Sequence, residues 1–309
     1  GEPLLAGIPF FKKALALQKK YCPPRKRIIN GIQTNGTLLN SDWAEFLARE
    51  NFLVGLSMDG PEDMHDRYRK GKDGRGTFRA VLHAYDLLVM NCAEPEILCV
   101  VGSENSAKPL DVYRFFRQLG VSCLTFIPLV IKPGSASLQN MAVEPSAFGA
   151  FLCTIFDEWK ANDIGKIKIQ IIEEALRPAF NQDHTLCVFK KECGGVPVIE
   201  HNGDVFSCDH YVDDDYRLGN IRNASLESFL DSGRQKSFGC AKWNTIAATC
   251  RACDVLDMCH GECMKNRFPS AESSEPGMNY LCEGYKKFFR HIRPFANEIS
   301  LLSKKRQTG

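Results

Sequence analysis

Apolar side chains at Phe10, Phe11, Ala14, Leu15 and Leu17, with lysines between them, recur at a helical period and predict a helix over 8–21. A strand over 27–33 follows and stops at Thr34-Asn35-Gly36, an Asn-Gly turn signal. Ser41 or Asp42 is placed to cap the next helix, which runs through Arg49. The unit then repeats. An apolar strand over 52–57 ends at Met58-Asp59-Gly60-Pro61, and Thr77 opens a helix to Met90. A strand over 97–102, a helix over 109–119 stopped by Gly120, a strand over 123–130 closed by Lys132-Pro133-Gly134, and a helix over 148–162 continue it. Such alternation predicts parallel strands joined by crossover helices, here four strands with a stub of a fifth before Gly1. Reactive groups are then expected at the C-terminal strand ends, facing one cleft: Gly1-Glu2-Pro3, 33–36, 57–59 and 128–130. A short helix over 173–180 leads into a cysteine-rich stretch. Beyond it Tyr285, Phe288, Phe289, Ile292, Phe295, Ile299 and Leu302 form one apolar face of a helix over 283–302, followed by a polar, frayed tail over 303–309.

Composition narrows the classes. The chain has 309 residues, enough for a large α/β domain and a smaller appendage. A net charge of +2, from 39 basic and 37 acidic residues, gives no broad field for nucleic acid or an anionic membrane. Apolar runs such as 80–90 are broken by polar residues before membrane-spanning length, and no signal peptide opens the chain, so a cytoplasmic, soluble protein is expected.

Nine of the fourteen cysteines lie between Cys187 and Cys282, spaced Cys187-x5-Cys193-x14-Cys208, then Cys250-x2-Cys253-x5-Cys259-x3-Cys263-x18-Cys282, with Cys240 apart. Thiolates grouped two to five residues apart let one loop offer several sulfurs to a metal centre, and distant cysteines close the sphere. Eight suit two four-thiolate sites. Zinc is the main competitor, because Cys250-x2-Cys253 resembles half a zinc ribbon. His201, His210 and His260 do not fall at ligand spacing, however, and the x5 and x3 gaps favour iron-sulfur. A secreted disulfide scaffold is disfavoured by the long cysteine-poor region that precedes the cluster. Cys92, Cys99, Cys123 and Cys153 read as small buried hydrophobes, and His65, His83, His184 and His201 as ordinary polar or loop residues.

Cys193-x9-Gly203-x4-Cys208, followed by Cys-x2-Cys-x5-Cys-x3-Cys and a final Cys, resembles the SPASM extension of radical S-adenosylmethionine (AdoMet) enzymes. Gly1-Glu2-Pro3 resembles the end of that superfamily's Gly-Gly-Glu-Pro motif; Gln33-Thr34-Asn35-Gly36, and Ser57-Met58-Asp59-Gly60-Pro61 with His65-Asp66-Arg67-Tyr68-Arg69, resemble its next two strand ends. Among its members the anaerobic sulfatase-maturating enzymes are the nearest match, in 1–5, 33–38, Cys208-Asp209-His210 and Leu218-Gly219-Asn220. The resemblance implies an α/β fold: a partial, TIM-like (β/α) radical AdoMet barrel over 1–170, a SPASM iron-sulfur domain over 171–282, and a C-terminal helix and tail over 283–309.

It also implies two auxiliary 4Fe-4S clusters, one on Cys187, Cys193, Cys208 and Cys263 and the other on Cys250, Cys253, Cys259 and Cys282. AdoMet would be bound through Gly1, Ser57, Arg69 and the backbone at Val130. Asp209 would be the general base, taking a proton after a 5'-deoxyadenosyl radical has abstracted a β-hydrogen, so that a Cys or Ser of a sulfatase motif becomes 3-oxoalanine (formylglycine). The implied partners are the sulfatase polypeptide and an electron donor such as ferredoxin or flavodoxin. A third, radical-generating cluster would sit on a Cys-x3-Cys-x2-Cys loop upstream of Gly1, so the chain reads as an N-terminally truncated piece. Two alternatives stay open: another SPASM enzyme forming thioether or carbon-carbon crosslinks, and a non-catalytic iron-sulfur or zinc protein that binds peptide.

Overall fold

The structure is a computed structural model that describes residues 1–132, 134, 138, 140–268 and 275–307, with the side chains of 306 and 307 excepted. The chain divides into two compact units, one of 1–129, 141–143 and 154–171, the other of 130–140, 144–153 and 172 onward.

The first unit is built on five parallel strands: β1 (Gly31–Thr34), β2 (Leu53–Ser57), β3 (Glu96–Val101), β4 (Cys123–Pro128) and β5 (Lys168–Ile169). Each strand lies beside its successor, in the order β1-β2-β3-β4-β5. Without a reversal of order there is no doubly wound switch point, and the sheet advances one way as the wall of a barrel does. Helices α1 (Ile8–Tyr21), α2 (Ser41–Arg49), α3 (Glu62–Tyr68), α4 (Phe78–Met90), α5 (Ser103–Ser106), α6 (Pro109–Leu119) and α7 (Pro145–Asn162) fill the connections. The core joins Leu56, Ile97 and Leu124 of the sheet to Val112, Tyr113 and Phe116 of α6, all fully buried.

Several expectations change here. A strand not foreseen is β5, at the far end of the sheet; only its Ile169 is buried, too little apolar pattern to read as a strand. The expected apolar face of α1 is not a core face: none of its residues is buried, and Phe10 is 58% exposed. The cap of α2 is Asn40, whose Oδ1 accepts from Trp43 N at 3.0 Å, rather than Ser41 or Asp42. Of the loop at 132–134, Pro133 lies outside the described residues.

In the second unit α8 (Gln170–Leu176) and a 3-10 turn over Arg177–Phe180 occupy the predicted short helix. A small antiparallel sheet of β6 (Val198–Ile199), β7 (Asp204–Phe206) and β8 (Arg217–Asn220) was not foreseen. It is followed by α9 (Leu226–Leu230), α10 (Gly233–Asn244), α11 (Ala248–Arg251), α12 (Leu256–Cys259) and the long α13 (Cys282–Gln307). Tyr285, Phe288, Phe289 and Ile292 of α13 are buried; Tyr285 and Phe289 both meet Phe189, and Tyr285 meets Phe148. The buried face ends at Phe295 and Ala296. Leu302 is exposed, and the predicted frayed tail is helical to Gln307, with 308 and 309 outside the described residues. Gly149 and Gly284 let the start of α7 pass against α13, since a Cβ on Gly284 would fall 2.2 Å from Pro145 O.

Candidate functional site

Parallel strands bring their C-terminal ends to one edge of the sheet. At that edge Glu2 binds across to β1: its carboxylate accepts from Thr34 Oγ1 at 2.7 Å, Asn35 N at 2.9 Å and Leu4 N at 3.1 Å. Beyond β2, Asp59 is nearly buried and holds Arg69 in a two-point ion pair, Nε to Oδ2 at 2.5 Å and Nη2 to Oδ1 at 3.1 Å. Val100 N donates to the same Oδ1 at 2.9 Å. His65, fully buried, accepts from Asp59 N at Nδ1 (3.3 Å) and meets Thr77 Oγ1 at Nε2 (3.1 Å). Burial holds His65 below the ordinary imidazole pKa, as that accepting role requires. Asn105 donates to Val100 O at 2.8 Å and accepts from Gly102 N at 2.9 Å. Into this frame fall three of the residues expected to bind AdoMet. Gly1 is exposed with open space where a Cβ would be; among the described residues Ser57, half-buried at the end of β2, has no side-chain hydrogen bond and Arg69 Nη1 has no partner. A free hydroxyl and a free guanidinium nitrogen suit a polar, carboxylate-bearing ligand. Val130 follows β4 by two residues and belongs to the second unit.

In the second unit every cysteine is a free thiol. Cys187 stands in a turn over 186–190, Cys193 N is held by Gly239 O at 3.1 Å, and Cys208 follows β7. Cys250 and Cys259 lie in α11 and α12, and Cys282 begins α13. Burial is the largest influence on Cys193, Cys208, Cys250, Cys259, Cys263 and Cys282. It pushes Cys208 and Cys263 up to about 12 and Cys282 to about 11, and raises Cys259, Cys193 and Cys250. The mutual repulsions sort the cysteines. Cys187 acts on Cys193 and Cys208, while Cys193 and Cys208 act on Cys263. Cys253 acts on Cys250, Cys250 and Cys282 on Cys259, and Cys250 and Cys253 on Cys282. The largest repulsions thus join Cys187, Cys193, Cys208 and Cys263 to one another, and Cys250, Cys253, Cys259 and Cys282 to one another. Opposing burial, the backbone N–H groups of His210, Gly261 and Lys265 favour the thiolates of Cys208, Cys259 and Cys263.

Cys259 and Cys263 are near neighbours in sequence yet fall in different sets. Between them His260, Gly261 and Glu262 all have positive φ, at 47°, 75° and 50°. Two non-glycine residues in the left-handed region cost about 1 kcal/mol each, and the turn they make sends the chain from one thiol set to the other. The second set is braced by exposed ion pairs from α13, Arg290 with Asp254 at 2.8 Å and Arg293 with Asp257 at 2.5 Å. Asp209 is exposed, and the Cys208 thiol donates to its Oδ1 at 3.2 Å; with His210 these form the one three-residue metal-ligating group found among the described residues.

Residues 187–254 match the SPASM family, an iron-sulfur cluster-binding domain. The chain is 42% identical to the serine-type anaerobic sulfatase-maturating enzyme of Bacteroides thetaiotaomicron, over 96% of this chain and 75% of that protein. The chain belongs to the anaerobic sulfatase-maturating enzymes. The cysteine-type enzyme of Clostridium perfringens is 34% identical over 95% of the chain and 80% of its own length. The solved structure of native anSMEcpe with bound AdoMet and Kp18Cys peptide superposes with a TM-score of 0.88 at 33% identity, covering 97% of this chain and 83% of that one.

For a sulfatase-maturating enzyme the donor set fits its cofactors: eight thiols in two tetrads, backbone N–H groups aimed at sulfur, and a free hydroxyl and guanidinium nitrogen at the sheet edge. Motif reading passed over the residues that hold this site in place. His65 and His184 read as ordinary polar residues, yet both are buried and bonded at both ring nitrogens. Of the four cysteines read as buried hydrophobes, Cys99 alone is buried and Cys92 is exposed.

Proposed function

We propose that this chain oxidises a Cys or Ser side chain in the active-site motif of a sulfatase polypeptide to 3-oxoalanine. What carries the reading is its membership of the sulfatase-maturating family, joined to a pair of four-thiol sets. In this reading Cys187, Cys193, Cys208 and Cys263 hold one 4Fe-4S cluster and Cys250, Cys253, Cys259 and Cys282 the other. Gly1, Ser57, Arg69 and the backbone at Val130 hold AdoMet. Together the clusters and AdoMet supply one-electron chemistry that side chains alone do not have.

The protein's own groups bind, orient and move a proton. Asp59 fixes the direction of Arg69 by a two-point ion pair, which leaves Nη1 for the ligand. Asp209 takes the proton; its exposure and its position beside Cys208 support that role, because a carboxylate open to the substrate can act as a base at neutral pH. We assign 1–170 to the AdoMet barrel, 171–282 to the cluster domain and 283–309 to a closing helix and tail. The electron donor is a ferredoxin or flavodoxin, and the compartment is the cytoplasm. No helix among the described residues is long and apolar enough to cross a membrane.

The test is anaerobic turnover of the full-length, reconstituted enzyme, with the radical-generating cluster that the family implies, in the presence of AdoMet, a reductant, and peptides carrying the Ser and Cys forms of a sulfatase motif. An aldehyde trapped by a hydrazide, with 5'-deoxyadenosine formed alongside it, is expected. Asp209→Asn should stop the aldehyde while 5'-deoxyadenosine still forms. A peptide product that loses two hydrogens without gaining an aldehyde would replace this reading with a crosslinking enzyme.

A further inference from the structure

Lys242 of α10 is fully buried, and its ammonium donates to the carbonyls of Cys187 at 2.7 Å and Val188 at 2.8 Å. Its own carbonyl accepts from Arg267 Nη1 at 2.7 Å. The same guanidinium reaches Gly261 O through Nε at 3.2 Å and Glu262 O through Nη2 at 3.3 Å. Gly261 and Glu262 are the link between Cys259 and Cys263, so Arg267 sits on the segment that joins the two thiol sets. A Cβ on Gly261 would lie 2.8 Å from Nη2, which leaves the seat open only to glycine unless the guanidinium moves.

All of these acceptors, and Thr245 Oγ1 at 3.3 Å from Nη1, are neutral. Among the described residues neither cation has a carboxylate in ion-pair contact; the buried Glu262 carboxylate acts on both from beyond that distance, and burial raises its own pKa. Lys242 is fully buried and Arg267 half-buried; positive charge taken out of water without a paired carboxylate is costly, and neutral carbonyls offset only part of that cost. The negative charge that reaches Lys242 from cysteine comes from Cys187, Cys193 and Cys263, all in the first set; that reaching Arg267 comes from Cys250 and Cys259 of the second set and Cys193 of the first. Four thiolates on a 4Fe-4S core leave an anionic assembly, which would supply the counter-charge that Glu262 alone does not give to two cations.

We propose that Lys242 and Arg267 form a cationic bridge between the auxiliary clusters, with Arg267 a counter-charge shared by both and Lys242 one that serves the first alone. The inference rests on the cluster assignment above. Adding an electron makes a cluster more negative, so a nearby fixed cation favours the reduced state and raises the reduction potential. Arg267 keeps its charge at any working pH.

The experiment is a dithionite titration of the reconstituted holoenzyme followed by electron paramagnetic resonance, for wild type, Arg267→Met, Arg267→Lys and Lys242→Met, with iron and sulfide measured on each sample. Arg267→Met should move both auxiliary steps to more negative potential, each by about tenfold in the reduced-to-oxidised ratio, or about 59 mV for one electron. Lys242→Met should move one step and leave the other. Arg267→Lys should stay near wild type. An unmoved Arg267→Met with full iron overturns the bridge and leaves the cluster assignment standing, as does Arg267→Lys shifting as far as Arg267→Met, or Lys242→Met moving both steps. Wild-type protein that takes up no iron overturns the assignment itself.

Discussion

At the C-terminal edge of the parallel sheet Asp59, His65, Arg69, Thr77 and Asn105 meet one another's hydrogen-bonding needs, whereas around the cysteines Lys242 and Arg267 are hydrogen-bonded, among the described residues, to neutral oxygens, beside eight thiols of which all but Cys187 are buried or half-buried. The first arrangement is complete before any ligand arrives, so its ligand adds bonds to a frame already made. The second leaves charge unbalanced on both sides, thiols raised by burial and two cations with no carboxylate in ion-pair contact among the described residues, and is completed by what it binds. Rigid positioning and guest-dependent folding thus occur in one chain, in different units.

The contrast is broken most directly at the cysteines. Cys263→Ala should lower bound iron from about eight to about four per chain, and adding Cys187→Ala should remove no more, since both belong to one set. Cys259→Ala combined with Cys263→Ala should empty both sites, although the two residues are sequence neighbours. Iron analysis of the three variants decides it, and retention of half the iron in the last would overturn the sorting of the thiols.

A smaller effect is expected at the preformed edge. Asp59→Ala leaves Arg69 without its carboxylate and Val100 N without its acceptor, and should destabilise the protein by about 3 kcal/mol whether or not AdoMet is present. Urea unfolding with hydrogen exchange at the Val100 amide reads this. Unchanged stability would mean that the edge, like the cysteine region, waits for its ligand.

The smallest expected effect sharpens the second unit. Glu174 is buried, which alone would raise its pKa, but bonds from His184, Thr185 and Leu186 N outweigh burial and hold it below the usual carboxylate value of 4.5. A depressed folded pKa adds stability that is full above 4.5 and is lost as pH falls through the folded value. Glu174→Gln should therefore cost about 1–2 kcal/mol at neutral pH and flatten the acid limb of the unfolding curve. A variant with the wild-type acid slope would remove Glu174 from the account.

Much of this was legible in the residues. Strong periodicity placed α1, α6 and α13 at or near their observed limits, and cysteine spacing marked out the region that matches the SPASM family. Weak signals hid the rest. β5 has two residues, β6 to β8 have two to four each, and no alternating pattern can form over such lengths. Partners distant in sequence were hidden too: Lys242 meets Cys187 across 55 residues, and Asp59 meets Val100 across 41. Periodicity reports which face is buried, and gives no sign of which polar group closes on which.

The central claim is that the two thiol sets hold two 4Fe-4S clusters. The direct measurement is iron, acid-labile sulfide and zinc per chain on anaerobically reconstituted protein. The account predicts about eight iron and about eight sulfide with little zinc. One or two zinc ions with negligible sulfide would contradict it.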